Sequence, residues 1–190
     1  MTDHPELTGP GPIVFVSFVH EDESVAWALK HYISKSLQIP GGVFLSSDGS
    51  QIFAGDRWID KIVTALSGAS VVVLLLTQRS VRRPWVNFEA GGAWLTNKTI
   101  IPVCAGNLKA GALPKPYSTL QALEVPSQAP YLLTSLRHHL NLKVELPMLP
   151  NQKMLVDMLS GKSEEMMNAE RIGDPYWMLV EACEKFRDEP

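Results

Sequence analysis

Short apolar runs alternate along the first half of the chain with stretches in which apolar residues recur at helical spacing. The apolar runs occupy residues 13–18, 43–45, 70–76 and 99–103. Because these runs show no alternation with polar residues, they are typical of strands that are buried on both faces. Helices are predicted between them, over 25–37, 56–66 (with Asp56 as N-cap) and 84–95. Strict alternation of strand and helix predicts an α/β fold with a doubly wound parallel sheet that is covered by helices on both sides.

The second half of the chain carries a weaker pattern. It predicts a loop over 106–116, a short helix or an edge strand over 117–123, helices over 130–140 and 150–159, and a polar, mobile stretch over 161–173. Asp174 and Pro175 then begin an amphipathic helix with Tyr176, Leu179, Val180 and Cys183 on one stripe. We therefore expect a flexible leader over 1–11, an α/β domain over 12–125, and a mainly helical C-terminal extension over 126–190 that packs on the domain.

Composition narrows the class of protein. Hydrophobic residues make up 45% of the chain and charged residues 19%, with a formal net charge of −3, which indicates a globular protein without a nucleic-acid-binding face. Cys104 and Cys183 lie among apolar residues and are predicted to be buried free thiols. No metal-ligand spacing occurs, since His138 and His139 are adjacent and point about 100° apart in a helix. With no signal region and no membrane-spanning run, the sequence predicts a cytoplasmic protein without a membrane partner.

The candidate chemistry lies in the predicted third helix. In a doubly wound sheet, ligands bind beyond the carboxyl ends of the strands, which are followed here by the loops 18–24, 46–56 and 77–84. Trp85 and Glu89 are four residues apart and share one helix face close to that edge. A carboxylate beside an indole can stabilise an oxocarbenium-like transition state, as cleavage of an N-glycosidic bond requires. The alternative is structural, because the helix dipole favours an early glutamate and a tryptophan often belongs to the core.

Two adjacent glycines follow Glu89 in the same predicted helix. Gly91 and Gly92 together cost about 2 kcal/mol relative to alanine inside a helix. We therefore expect another group, from the protein or from a ligand, to approach the helix closely there.

Four segments, in a specific order and spacing, carry a family resemblance. They are Val14–Phe18 with His20-Glu21-Asp22, Phe44-Leu45-Ser46 with Ala54–Trp58, Leu74–Thr77 with Pro84-Trp85 and Glu89, and Ile100–Val103. These segments resemble the first box, the second strand with its BB loop, the strand and helix that carry the catalytic glutamate, and the closing strand of TIR domains. The resemblance implies a flavodoxin-like sheet. Segment 113–124 is similar to bacterial TIR proteins of antiphage systems such as Thoeris.

The resemblance implies an enzyme that cleaves NAD+ at the nicotinamide–ribose bond and needs no cofactor or metal. Glu89 would be the catalytic residue, with substrate-binding residues Phe18, His20, Asp48, Phe53, Trp58 and Trp85. The product would be ADP-ribose, a cyclic isomer or a related signalling nucleotide that reaches a separate effector protein. TIR enzymes of this kind also self-associate, and the apolar pair Ile52-Phe53 in the long loop 46–56 fits such a contact.

Two other hypotheses remain open at this stage. The first is a non-catalytic adaptor that acts only through TIR–TIR contacts and has no need of the Trp85–Glu89 pair. The second is an enzyme similar to nucleoside deoxyribosyltransferases, which would act on nucleosides and leave NAD+ intact. The chain also departs from the family pattern, with Ser46-Ser47 where many members carry an acid and Val19-His20 where some carry basic residues.

Overall fold

A parallel sheet forms the centre of the fold. The computed structural model describes residues 13–39, 42–46, 58–147 and 173–188. Within these ranges the strands are β1 (Val14–Ser17), β2 (Val43–Ser46), β3 (Val71–Leu76), β4 (Thr99–Cys104) and β5 (Leu123–Glu124). All neighbours pair in parallel in the order β2-β1-β3-β4-β5, the flavodoxin-like order whose switch point lies between β1 and β3. The predicted doubly wound α/β sheet is confirmed.

Helices cover both faces of this sheet. They are α1 (Glu23–Ser36), α2 (Trp58–Gly68), α3 (Pro84–Leu95), α4 (Ala129–His139) and α5 (Pro175–Asp188). Residues of α1, α4 and α5 share one core cluster with alternate strand residues such as Val14 and Val16. Residues of α2 and α3 share the other cluster with Phe15 and Phe44. Because successive strand residues point to opposite faces, this alternation decides which side chains meet α3.

The two glycines of α3 have different surroundings. A Cβ atom added to Gly92 would lie 3.1 Å from Leu66 Cδ2 of α2, whereas one added to Gly91 would meet nothing within 4 Å. The predicted close approach therefore occurs at Gly92, where α2 packs on α3, and the described residues supply no such contact at Gly91. The helix begins as predicted, with Pro84 in its first turn.

The C-terminal half follows the weaker sequence pattern in part. Residues 117–123 contain both alternatives, a 3₁₀ helix at Tyr117–Thr119 and the start of the edge strand β5. Asp174 Oδ1 accepts a hydrogen bond from the Tyr176 amide at 2.9 Å at the start of α5, and this helix packs on α1. The leader and the helix predicted over 150–159 lie outside the described residues, and the domain boundaries stay predictions.

The cysteine prediction is confirmed, because Cys104 and Cys183 are buried free thiols. Burial raises the pKa of Cys104 to about 11 and that of Cys183 to about 12. Neither thiol is therefore poised to react as a thiolate at neutral pH. Among the helices described, none combines the length and the apolar character that a membrane crossing needs.

Candidate active site

Glu89 occupies a position in α3 that would ordinarily hold an apolar residue. The buried residues of the helix are Val86, Glu89, Ala90 and Ala93, which form one stripe facing the sheet. The side chain of Glu89 is 0% exposed, like that of Val86. Carboxylates are rarely buried to this extent unless they are paired, so the groups that face Glu89 determine what it can do.

Two serines at the ends of neighbouring strands face this carboxylate. Ser17 ends β1 and Ser46 ends β2, and the two are register partners in the parallel ladder. Two residues earlier, Phe15 and Phe44 are also partners, and their rings stack at 5.5 Å on the α2–α3 side. Because side chains two residues apart on a strand point to the same face, both serines face the α2–α3 side, like the two phenylalanines.

Ser46 Oγ donates a hydrogen bond to Glu89 Oε1. The second oxygen, Oε2, is buried and makes no hydrogen bond within the described part of the chain, and the same is true of Ser17 Oγ. Both are 0% exposed as residues. One oxygen of the carboxylate is therefore held by Ser46, and the other faces Ser17 and Trp85 without a hydrogen bond of good geometry, an arrangement that costs stability.

Burial raises the pKa of Glu89 from 4.5 to about 7. The neighbouring polar groups of Ser17, Ser46 and Trp85 favour the ionised form and reduce this rise. The carboxyl group consequently changes its charge close to neutral pH, which is a common property of acids that act in catalysis.

A second polar cluster closes the edge of the sheet at the switch point itself. Thr77, which follows β3, donates its hydroxyl to the buried carboxylate of Asp22 at 3.1 Å, and it lies 3.1 Å from Ser80 Oγ. Burial raises the pKa of Asp22 to about 6, against the hydrogen bonds from Ser80 and Thr77. Arg83 forms an ion pair with Glu21 between the same two loops. These links join the loops after β1 and β3.

Of the other predicted site residues that the structure describes, only Trp85 lies close to Glu89. Trp85 is half-buried near the Glu89 carboxyl and stacks on Phe88 with ring centroids 5.4 Å apart. His20 is exposed in the short 3₁₀ helix after β1, with Nδ1 3.4 Å from Glu23 Oε2. Phe18 is 3% exposed and packs in the core cluster on the α1 side, so the structure does not bring it to the α3 face.

Asp48 and Phe53 lie outside the described residues, as does the side chain of Trp58, the first residue of α2. Their binding roles stay predictions. Sequence reasoning assigned no role to Ser17 or Ser46. The sequence does contain a signal for these two serines. Each is a small polar residue at the carboxyl end of a buried strand, two residues after a phenylalanine that points to the same side of the sheet. The described residues contain no group of three or more side chains suited to hold a metal ion.

Comparison with known proteins identifies the family to which the chain belongs. Among solved structures, the chain is similar to a TIR-STING receptor from C. gigas in complex with 2',3'-cGAMP, at 22% identity and a TM-score of 0.47. The match covers 70% of this chain and 42% of that one, so the chain spans less than half of the receptor's length. Among curated proteins there is no significant match. The family model described as TIR domain matches residues 14–140, about two thirds of the 190 residues, and the chain belongs to the TIR domain family.

Proposed function

We propose that this TIR domain cleaves NAD+ at the bond between nicotinamide and ribose, with Glu89 as the catalytic residue. One observation carries the proposal. Glu89 is a fully buried carboxylate with one oxygen held by Ser46 and the other without a partner, at the carboxyl edge of β1 and β2. A purely structural glutamate would gain from pairing both oxygens, whereas an unpaired oxygen suits a ligand.

The chemistry follows from the charge of this group. When the glycosidic bond breaks, nicotinamide leaves with the bonding electron pair and positive charge develops on the ribose. The ionised Glu89 stabilises that charge in a site with little water, where electrostatic interactions are strong. The half-buried ring of Trp85, which lies near the carboxylate and stacks on the exposed ring of Phe88, can pack against a flat leaving group.

The fate of the ribose defines the product. Addition of water gives ADP-ribose, and addition of a hydroxyl or ring nitrogen of the same molecule gives a cyclic isomer. NAD+ is in this proposal a substrate, and the chain needs no further cofactor. We further propose that the product acts as a messenger for a separate effector protein, in bacterial antiphage immunity as in the systems that the sequence resembles.

A second function, that of an adaptor which acts through TIR–TIR contacts, is favoured by a different observation. Large apolar side chains are exposed on α3, which carries Glu89, and on the adjoining helix α2. They are Ile59 (40%) and Val63 (47%) on α2, and Phe88 (53%), Trp94 (45%) and Leu95 (87%) on α3. Exposed apolar side chains on adjoining helices suit a contact with another protein. Association and catalysis are compatible, so the two functions differ only in whether NAD+ is consumed.

The deciding experiment is incubation of the purified chain with NAD+, followed by identification of products by mass spectrometry. We expect free nicotinamide, and a loss of rate by at least about 100-fold in Glu89→Gln, because the substitution removes the stabilising charge and keeps the shape. Glu184→Gln on the exposed side of α5 is the matched control and should retain full activity. Intact NAD+ after incubation over a wide range of protein concentrations would favour the adaptor.

A further inference from the structure

The helix α5 lies beyond residue 140, where the match to the TIR family ends. It packs on α1, and Tyr176 in its first turn meets Tyr32 in the second half of α1, with ring centroids 6.1 Å apart. Phe186 in its last turn lies instead against the loops that follow β3 and β4. The helix therefore runs antiparallel to α1 and ends at the carboxyl edge of the sheet, the edge at which Glu89 is placed.

One aromatic ring at this end of α5 contacts two loops. Gly106 follows β4 in a left-handed conformation with φ +63°, and a Cβ atom added to it would lie 3.2 Å from the ring of Phe186. Arg79 follows β3, and its Cζ atom lies 5.3 Å from the centroid of the same ring, within the range of a cation–π contact. Phe186 is 7% exposed. Its ring thus links the ends of β3 and β4, and position 106 requires glycine both for its backbone conformation and for the space.

Arg79 connects this ring to the polar cluster at the switch point. Its backbone amide donates to Thr77 Oγ1 at 3.2 Å, and the Thr77 hydroxyl donates to the buried carboxylate of Asp22 after β1. Burial raises the pKa of Asp22, and the positive charge of Arg79 opposes this rise. The loop over 77–83 then leads directly into α3, which carries Glu89. A continuous series of contacts therefore joins the last helix to the loops at the edge where such sheets bind ligands.

We infer that Phe186 is a positioning residue for the proposed reaction. By packing on Gly106 and holding Arg79, it fixes the loops after β3 and β4, and with them the start of α3. The C-terminal helix then belongs to the working enzyme, although it lies outside the TIR match. This inference rests on the proposed function. The competing explanation is that Phe186 only buries apolar surface, which a leucine would do nearly as well.

The activity test uses Phe186→Leu, which keeps an apolar side chain and removes the aromatic face. We expect kcat/KM for NAD+ to fall by about 5-fold, the change to which one cation–π contact corresponds. Arg79→Gln should show a similar loss, and Arg79→Lys should retain most of the activity because it keeps the cation. The double variant Phe186→Leu/Arg79→Gln should lose no more than either single variant, since both remove the same contact.

The matched control is Leu179→Ala. Leu179 is 0% exposed in the same helix but lies two turns before Phe186, so this variant weakens the packing of α5 without touching the loops. At a temperature where circular dichroism shows every variant to be folded, its kcat/KM should equal that of the wild type. Additive losses in the double variant, or an equal loss in Leu179→Ala, would overturn the inference and leave Phe186 as a core residue.

Hydrogen exchange separates this inference from the proposed function. The amides of Arg79, Ser80 and Val81 donate hydrogen bonds to Thr77 in the loop after β3. We expect them to exchange about 5-fold faster in Phe186→Leu and at the wild-type rate in Leu179→Ala. Faster exchange without NAD+ cleavage by the wild type would support the link between α5 and the loop and reject the proposed reaction. Cleavage with unchanged exchange and unchanged kcat/KM in Phe186→Leu would overturn the inference and leave the proposed function in place.

Discussion

The buried carboxylate of Glu89 should make the protein less stable as the pH rises. Its pKa is 4.5 when unfolded and about 7 in the folded chain, because burial disfavours the charge. The folded state therefore binds the proton more tightly than the unfolded state. The contribution of Glu89 to the free energy of unfolding is largest below pH 4.5 and falls as the pH rises toward 7. Each pH unit between the two values corresponds to about 1.4 kcal/mol, so the full effect is about 3 kcal/mol.

Glu89→Gln removes this effect because an amide does not ionise. Relative to the wild type, we expect the variant to gain about 2.5 kcal/mol between pH 5 and pH 8, which corresponds to a gain in Tm of about 5–10 °C for a chain of this size. Any constant effect of the amide, including an altered hydrogen bond with Ser46, cancels when the two pH values are compared. The same variant should be inactive, so catalysis and stability are opposed at one residue.

The assay is thermal unfolding of both proteins by circular dichroism at pH 5 and pH 8, with chemical denaturation at the same pH values. Glu184→Gln on α5 is the control, since an exposed carboxylate is solvated in both states. All other titrating groups, including Asp22, are common to the proteins and cancel. A difference between Glu89→Gln and the wild type that is the same at pH 5 and pH 8 would refute the reasoning.

Three further predictions concern activity. The kcat/KM for NAD+ should fall as the pH drops below about 7, where Glu89 becomes protonated. In Ser46→Ala this fall should begin at a higher pH, because the hydrogen-bond donor that favours ionised Glu89 is lost, and an unchanged pH profile would contradict this. Trp85→Phe should retain more activity than Trp85→Ala, which also loses about 3 kcal/mol of stability; equal Michaelis parameters for both variants and the wild type would assign Trp85 to the core alone. Specific activity should rise with protein concentration, and Phe53→Asp should lower both activity and oligomer size by light scattering; constant specific activity of a monomer would exclude assembly.

The sheet could be predicted from the sequence because strands buried on both faces leave a local signal. The runs around Phe15 and Val73 contain no polar alternation, and each is followed by a helix with its own apolar stripe. The last strand lacked that signal, because β5 contributes only Leu123 and Glu124 and lies at the edge. An edge strand of two residues forms only through its hydrogen bonds with the neighbouring strand, so its position depends on tertiary structure and not on a local sequence pattern.

The candidate site was predictable only in part. The spacing of Trp85 and Glu89 on one helix face is local and could be recognised. The contact between Glu89 and Ser46 joins residues 43 positions apart, and no local pattern encodes it. The family resemblance implies a binding role for Phe18, which stays a prediction, and the alternation along the strand places its side chain in the core cluster on the α1 side. Ser46 stands near the place where many relatives carry an acid, and it donates a hydrogen bond that an ionised acid could not.

The register of Ser17 and Ser46 across β1 and β2 has a consequence for how the protein matures. The two serines precede Glu89 on the chain, so during synthesis both strands leave the ribosome before the residue that completes the site. Until α3 packs on the sheet, the Glu89 carboxylate is hydrated and carries no desolvation penalty, because that penalty arises only when the helix docks. Above pH 7 a charged Glu89 therefore opposes the docking of α3 on the sheet. The group formed by Glu89, Ser17 and Ser46 is therefore complete only once α3 has docked, so partly folded chains lack it.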